Sequence, residues 1–204
     1  MTTSPFYPAT ADHRRLRWLE GSWTGEETHH PFPGFPESRT AEVEIHSRML
    51  FGGLYLERDY RTRRDGELLY HARGLYGWSE ADQVYTLSWF DSSGSPPLLE
   101  ATGSWHLPEG GSQAETDKED APLGTLLFEY PRLERIFRAS YVFPHSREYH
   151  FLLESRPPAE DQDEAIGAEE EAPWTPILSG IYRQSSSEAP ALGSGFEGFG
   201  EPLP

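Results

Sequence analysis

Alternation of apolar and polar residues with a period of two constrains this chain more than any other feature. Between residues 54 and 79, two alternating runs flank Asp65-Gly66, the dipeptide typical of a two-residue β-hairpin. Similar runs, separated by turn residues, continue to residue 184. They predict ten strands near 22–29, 40–50, 53–63, 67–79, 83–91, 97–106, 123–130, 133–143, 147–155 and 174–184. One short helix is predicted before them over residues 13–20, with Asp12 as its N-cap and Gly21 just after its end.

Short turns between consecutive strands indicate an antiparallel meander. An open sheet of this size would leave two edges able to pair with other chains, and closing the sheet removes them. The sequence therefore predicts an all-β fold: a single antiparallel up-and-down β-barrel of about ten strands with a short N-terminal helix. The predicted organisation is an N-terminal arm over 1–11, a barrel domain over 12–184 and a disordered tail over 185–204.

The net charge of −17 is concentrated outside the predicted strands. Residues 107–122 hold five acids and one base, and residues 155–172 hold seven acids and one base. Such polar segments cannot bury an apolar face, so they are predicted to be mobile loops. Without clustered Lys and Arg, nucleic acid is not an expected partner.

The absence of cysteine and of any long apolar segment limits the classes of protein further. No disulfide, metal thiolate or thiol nucleophile can form, and no run approaches the roughly 20 apolar residues of a membrane span. No apolar signal segment is visible at the N-terminus either. These features predict a cytoplasmic protein without a membrane partner.

The same alternation assigns inward-facing side chains and with them a candidate binding site. The predicted ligand-binding residues are Arg58, Tyr60, Tyr76, Trp78, Trp89, Tyr141 and Tyr149. Aromatic walls with a few polar groups are typical of a cavity for a small ligand, whereas a packed core favours aliphatic residues. Alternatively, large aromatic side chains fill the barrel, and the protein acts through its outer face as an interaction or homodimerisation protein. On the last predicted strand, Trp174, Leu178 and Tyr182 also face inward.

Arg58 is the one full charge in that set and has two interpretations. An internal carboxylate partner would make it structural. A ligand carboxylate or other anion would make it functional, because the guanidinium matches that geometry. The predicted function is non-catalytic binding of a small, largely apolar molecule, in the second case one with an acidic head.

The segment 19–27, LEGSWTGEE, places Trp23 between two glycines just after the helix. A G-x-W entry of this kind resembles the calycin superfamily, which includes lipocalins and fatty-acid-binding proteins. The ordered motifs GGLYLERDY, GLYGWSEADQVYTLSWFDSSG and SGIYR add a resemblance to an uncharacterised bacterial domain family related in fold to nitrobindins. The resemblance implies a ten-stranded barrel with an internal pocket. It also implies that Trp23 closes one end, with Arg183 packed on it through a cation–π contact.

The sequence motifs predict no enzyme activity, no metal and no cofactor. No nucleophile-elbow, phosphate-loop, zinc-protease or dinucleotide-binding motif occurs, and Glu26 and Glu27 are predicted to face outward. Nitrobindin-like haem binding is the nearest alternative, and it requires a histidine inside the barrel. The last predicted strand contains none, so haem would depend on His71, whose side of the sheet the alternation leaves ambiguous.

Overall fold

The structure, a computed structural model, describes residues 7–32, 36–108, 123–158 and 172–185. Helix α1 spans Ala11–Arg15 and continues into a 3₁₀ turn over Leu16–Leu19. Thr10 is the N-cap, two residues before the predicted Asp12, which lies in the first turn and pairs with Arg15. The strands are β1 Gly21–His29, β2 Arg39–Leu50, β3 Tyr55–Arg64, β4 Glu67–Ser79, β5 Val84–Asp91, β6 Leu98–His106, β7 Gly124–Arg132, β8 Arg135–His145, β9 Glu148–Arg156 and β10 Thr175–Gln184.

The ten strands form one closed antiparallel barrel in chain order. β1 pairs with β2 on one side and with β10 on the other, so that Gly25 lies opposite both Val43 and Tyr182. This confirms the predicted fold class. Every strand therefore has one face toward the interior and one toward the outside, as the period-two pattern requires.

The helical segment closes one end of the barrel through Trp23. Its indole N–H donates to the Leu19 carbonyl oxygen at 3.1 Å, and its ring meets Tyr149 edge-on at a centroid distance of 5.0 Å. Leu16, Leu19 and Trp23 are all buried. We refer to this end as the helix end, and His29, at the far end of β1, marks the opposite end.

The glycines around Trp23 serve two separate needs. Gly21 has a φ of +111°, which allows the chain to turn from the helical segment into β1. A Cβ at Gly25 would clash with the carbonyl oxygen of Ile181 on β10. The absence of a side chain at Gly25 therefore permits the close approach of the strands that close the barrel.

The predicted contact between Arg183 and Trp23 is wrong. Arg183 is paired with Thr24, one residue out of step with Trp23, so its side chain lies on the outer face. It is 69% exposed, and its Nε lies 2.8 Å from Glu148 Oε2. The interior position next to it is occupied by Tyr182, whose ring packs 5.0 Å from that of Tyr149.

Trp174 also lies outside, contrary to the strict alternation. The register of β10 with β9 shifts between Pro176 and Leu178, which reverses the facing of the residues before the shift. The Trp174 ring stacks on two outward-facing guanidinium groups, with Arg138 Cζ 4.2 Å and Arg156 Cζ 4.5 Å from its centroid. Through these contacts the segment just before β10 packs on the outer faces of β8 and β9.

The predicted mobile acidic loops and disordered tail fall largely outside the described residues. Of the segment 155–172, Ser155 and Arg156 belong to β9. Of the arm 1–11, residue 11 begins α1. The mobility of segments 109–122, 159–171 and 186–204 remains a prediction.

Trp23→Ala is expected to lower the free energy of unfolding by about 3–5 kcal/mol, because it empties a fully buried site. Arg183→Ala should change it by less than about 0.5 kcal/mol, since an exposed ion pair contributes little. Urea denaturation of both variants checks this. A loss of several kcal/mol in Arg183→Ala would contradict its outward placement.

Candidate functional site

Arg58 on β3 is the central charged group of the interior. It is 3% exposed, and its Nη2 donates a hydrogen bond to the Tyr149 hydroxyl. Its Cζ lies 5.5 Å from the ring centroid of Tyr141 and 5.4 Å from that of Tyr149. Nε and Nη1 are buried and have no hydrogen-bond partner among the described residues. Nε carries one N–H group and Nη1 carries two, so at least three of the five N–H groups of the guanidinium have no partner among the described residues.

The tyrosines around Arg58 are neutral. Burial raises the pKa of Tyr149 above its ordinary value in spite of the Arg58 charge. Burial and the neighbouring Tyr76 likewise hold the pKa of Tyr141 well above that value, and the Tyr76 and Tyr141 hydroxyls lie 2.9 Å apart. These hydroxyls offer dipoles and ring faces to Arg58, but no negative charge.

A second charged group, Glu27, lies inside the barrel on β1. It is 0% exposed. Its Oε2 accepts hydrogen bonds from the Tyr60 hydroxyl and, at 3.1 Å, from the Tyr182 hydroxyl. Its Oε1 lies 2.8 Å from Nε2 of His29, which is also on the inner face. The predicted outward facing of Glu27 is therefore wrong, and its parity with Trp23 and Gly25 was the signal that could have revealed it.

Glu27 is held by donors that stay protonated. Burial, with the neighbouring Tyr182 and Glu27, raises the pKa of Tyr60 well above its ordinary value. Burial and Glu27 do the same for the pKa of Tyr182. Both hydroxyls are consequently donors to the carboxylate across the accessible pH range.

All seven predicted ligand-binding residues lie on the inner face, but they do not form one group. Arg58, Tyr141 and Tyr149 contact one another, and Tyr76 joins them through Tyr141. Tyr60 packs on Trp89 at 5.8 Å. Trp78 instead packs on Tyr85 at 4.8 Å, and the Tyr85 hydroxyl bonds to the carbonyl of Asp12 in α1. Trp78 therefore belongs to the helix end, and the ligand-binding role of the set remains a prediction.

The end opposite the helix carries further polar groups. Arg135 donates from Nε to Ser155 Oγ at 2.9 Å, and its guanidinium lies 5.5 Å from the Phe32 ring. The His29 side chain is 45% exposed there. Arg135 is thus partnered at the rim, unlike Arg58 in the interior.

His71 lies on the outer face and cannot ligate a haem inside the barrel. Its Nε2 is 3.2 Å from Asp59 Oδ2, and Asp59 also pairs with Arg61 at 2.9 Å and Arg73 at 3.4 Å. In β3, Asp59 and Arg61 alternate with the inward-facing Arg58 and Tyr60, which settles the ambiguity. His71 therefore cannot supply the interior histidine that the haem alternative requires.

Neither a metal cluster nor a membrane-spanning helix is present in the part of the chain that the structure describes. There, no group of three or more His, Cys, Asp or Glu side chains is arranged to hold a metal ion. Within those same residues, no helix has the length and apolarity needed to cross a membrane.

These features define a closed antiparallel barrel whose interior combines aromatic rings with two buried charges. The chain belongs to the family described as Protein of unknown function (DUF1579), whose model matches residues 8–118, more than half of the chain. This agrees with the domain family that the sequence motifs indicated. No curated protein matches the sequence.

Two solved structures have a similar fold. Rv2717c from M. tuberculosis is 14% identical with a TM-score of 0.55, over 86% of this chain and 98% of that one. The S-type phycobiliprotein lyase CPES from Guillardia theta is 8% identical with a TM-score of 0.50, over 88% of this chain and 95% of that one. At these identities the similarity shows the fold alone, which agrees with the predicted antiparallel β-barrel.

The outer cluster around Asp59 predicts a pH dependence of stability. Burial opposes ionisation of Asp59, but the hydrogen bond from His71 and the charge of Arg61 outweigh it and lower the pKa of the carboxyl. A lowered pKa stabilises the fold fully above the unfolded-state value of about 3.9, and the contribution is lost as pH falls through the folded-state value. Acidification from about pH 6 to about pH 3 should therefore lower the unfolding free energy of the wild type more than that of Asp59→Asn.

Denaturant unfolding at both pH values measures this difference. Asp65→Asn is the matched control, because Asp65 is an exposed turn aspartate with a φ of 50° that Asn also tolerates. The control should follow the wild type. Equal acid sensitivity of the wild type and Asp59→Asn would show that the cluster does not stabilise the ionised carboxyl.

Proposed function

We propose that this protein binds a small, largely apolar molecule with an anionic head inside its barrel, without chemical turnover. The observation that carries the proposal is Arg58, a buried guanidinium whose Nε and Nη1 have no partner among the described residues. The proposed head group is a carboxylate or a related oxyanion that accepts hydrogen bonds from these nitrogens.

The electrostatics of Arg58 support an anionic partner. Removing a guanidinium from water costs several kcal/mol, and the guanidinium cannot lose its proton to avoid this cost. Two tyrosine faces return about 2 kcal/mol through cation–π contacts in a desolvated site. The described residues offer Arg58 no ion pair within 4.0 Å. A ligand anion would supply the missing charge, as one of the two interpretations of the sequence requires.

The rest of the interior suits an apolar body. Partly buried aromatic and aliphatic side chains continue from the core, and they include Trp89, Tyr130, Phe151 and Leu153. At the helix end, Leu16, Leu19 and Trp23 are buried and the helical segment covers the barrel, although Trp18 and Trp78 there are only partly buried. Because the helical segment covers that end, the proposed route of entry is the opposite end, with the head of the ligand reaching inward to Arg58.

Removing the guanidinium of Arg58 should weaken the binding of an acid more than the binding of its ester. The affinity is measured by displacement of an apolar fluorophore from the full chain. Arg58→Met is expected to lower the affinity for dodecanoic acid about 10- to 100-fold, because hydrogen bonds to a charged group contribute a free energy of that size. The methyl ester should change by no more than about twofold, because it carries no charge for Arg58 to hold. Arg61→Met is the matched control, since Arg61 lies on the outer face of the same strand and should leave both affinities unchanged.

Two outcomes would contradict the proposal. Equal weakening of acid and ester by Arg58→Met would show that Arg58 does not recognise the head group. Failure of the wild type to bind fluorophore, acid and ester would favour the alternative of a filled barrel that acts through its outer face or as a homodimer.

A further inference from the structure

The Glu27–His29 pair connects the interior with the end opposite the helix. We propose that His29, oriented by Glu27, is a second polar contact for the interior ligand, and that the ligand is an acid with a neutral hydrogen-bond donor, such as a hydroxyl, remote from its acidic head. This rests on the proposed function, because the acidic head is the group assigned to Arg58. The ligand class becomes an amphipathic hydroxy acid rather than a simple fatty acid.

The hydrogen bond to Glu27 determines which nitrogen of His29 is available. Nε2 lies 2.8 Å from Oε1 of a carboxylate that already accepts two tyrosine hydroxyls, so Nε2 carries the proton. In the neutral imidazole, Nδ1 is then a hydrogen-bond acceptor. Among the residues that the structure describes, Glu27 is the contact found for the His29 ring. At metal sites, a carboxylate that accepts from one ring nitrogen of a histidine fixes the tautomer and the orientation of that ring, and Glu27 holds His29 by the same kind of hydrogen bond.

Glu27 is not needed merely to fill the barrel. A fully buried carboxylate is costly, and an apolar residue of similar size in its place is often neutral or stabilising. Here the chain provides two tyrosine donors and a histidine to satisfy it. The arrangement is explained if the group it orients, His29, has a role.

A series of side-chain contacts connects the two polar positions. Arg58 donates a hydrogen bond to the Tyr149 hydroxyl. The centroid of the Tyr149 ring lies 5.0 Å from that of the Tyr182 ring. The Tyr182 hydroxyl reaches Glu27, which holds His29. A ligand that spans the two positions would have its acidic end at Arg58 and its other end near His29.

The donor on the ligand is neutral rather than cationic. A ligand cation would need a free carboxylate oxygen, but both oxygens of Glu27 are used by Tyr60, Tyr182 and His29. When the imidazole is neutral, Nδ1 is the remaining acceptor, and it matches a hydroxyl or amide N–H. A ligand without the donor should lose only a little affinity, because His29 is partly exposed and water can take the place of the missing donor.

The test compares medium-chain acids, from octanoic to tetradecanoic, with their terminally hydroxylated counterparts, by fluorophore displacement from the full chain. For the wild type, the hydroxylated acid should bind about 3- to 10-fold more tightly at the chain length that spans the two positions. His29→Phe should abolish this preference while leaving the parent acid within about twofold. Since a His29 variant could perturb Glu27, His29→Ala is measured too, and thermal melting verifies that both variants fold.

His30→Phe is the matched control, because this neighbouring histidine bonds to Ser179 Oγ at 2.8 Å and not to Glu27. It should retain the preference. Equal binding of parent and hydroxylated acids at every length, or a preference that survives both His29 variants, would overturn the role of His29 but leave the proposed function standing. Parent acids that do not bind, or that bind equally well to Arg58→Met, would overturn both proposals.

Discussion

Pairing of β1 with β10 closes the sheet, and the properties of the interior depend on that closure. Once the last edge is paired, a side chain on the inner face has no route to bulk water except through the two ends. The helical segment and Trp23 occupy one of these ends. Any charge on the inner face must then be satisfied by other interior groups or by a molecule that enters.

The two interior charges meet this constraint differently. Both carboxylate oxygens of Glu27 accept hydrogen bonds, which come from two tyrosines and a histidine. Arg58 has a single hydrogen bond and two ring faces, and no carboxylate in the described part of the chain completes its coordination. This contrast, rather than burial alone, distinguishes a group that is part of the scaffold from one that supports a binding proposal.

Strand positions and most facings followed from period-two alternation because a closed barrel obeys it almost everywhere. The failures have specific causes. Trp174 was assigned to the wrong face because a register shift in β10 is invisible in the pattern. Arg183 was carried over from a family resemblance, although its position next to Tyr182 places it outside. Glu27 was missed because an acidic residue was assumed to prefer water, against its own parity with Trp23.

Contacts across the barrel could not be predicted at all. Arg58 and Tyr149 are 91 residues apart in sequence, and no local pattern relates their side chains. Alternation states only that both point inward, and it leaves open which inward-facing groups meet. The division of the seven predicted residues, with Trp78 at the helix end and Trp89 beside Tyr60, is likewise a result of strand tilt rather than of spacing.

The hydrogen bond between Glu27 and Tyr182 joins residues 155 positions apart, so the barrel cannot be completed early in synthesis. A ribosome adds β1 first and β10 last, and until β10 emerges the Glu27 carboxylate lacks one of its donors and β1 has an unpaired edge. Contacts of such long sequence separation slow folding, because the chain must lose loop entropy before the contacts form. Until β10 is available, the aromatic side chains of the other strands lack the closure that buries them, and exposed apolar surface and unpaired strand edges of this kind favour aggregation.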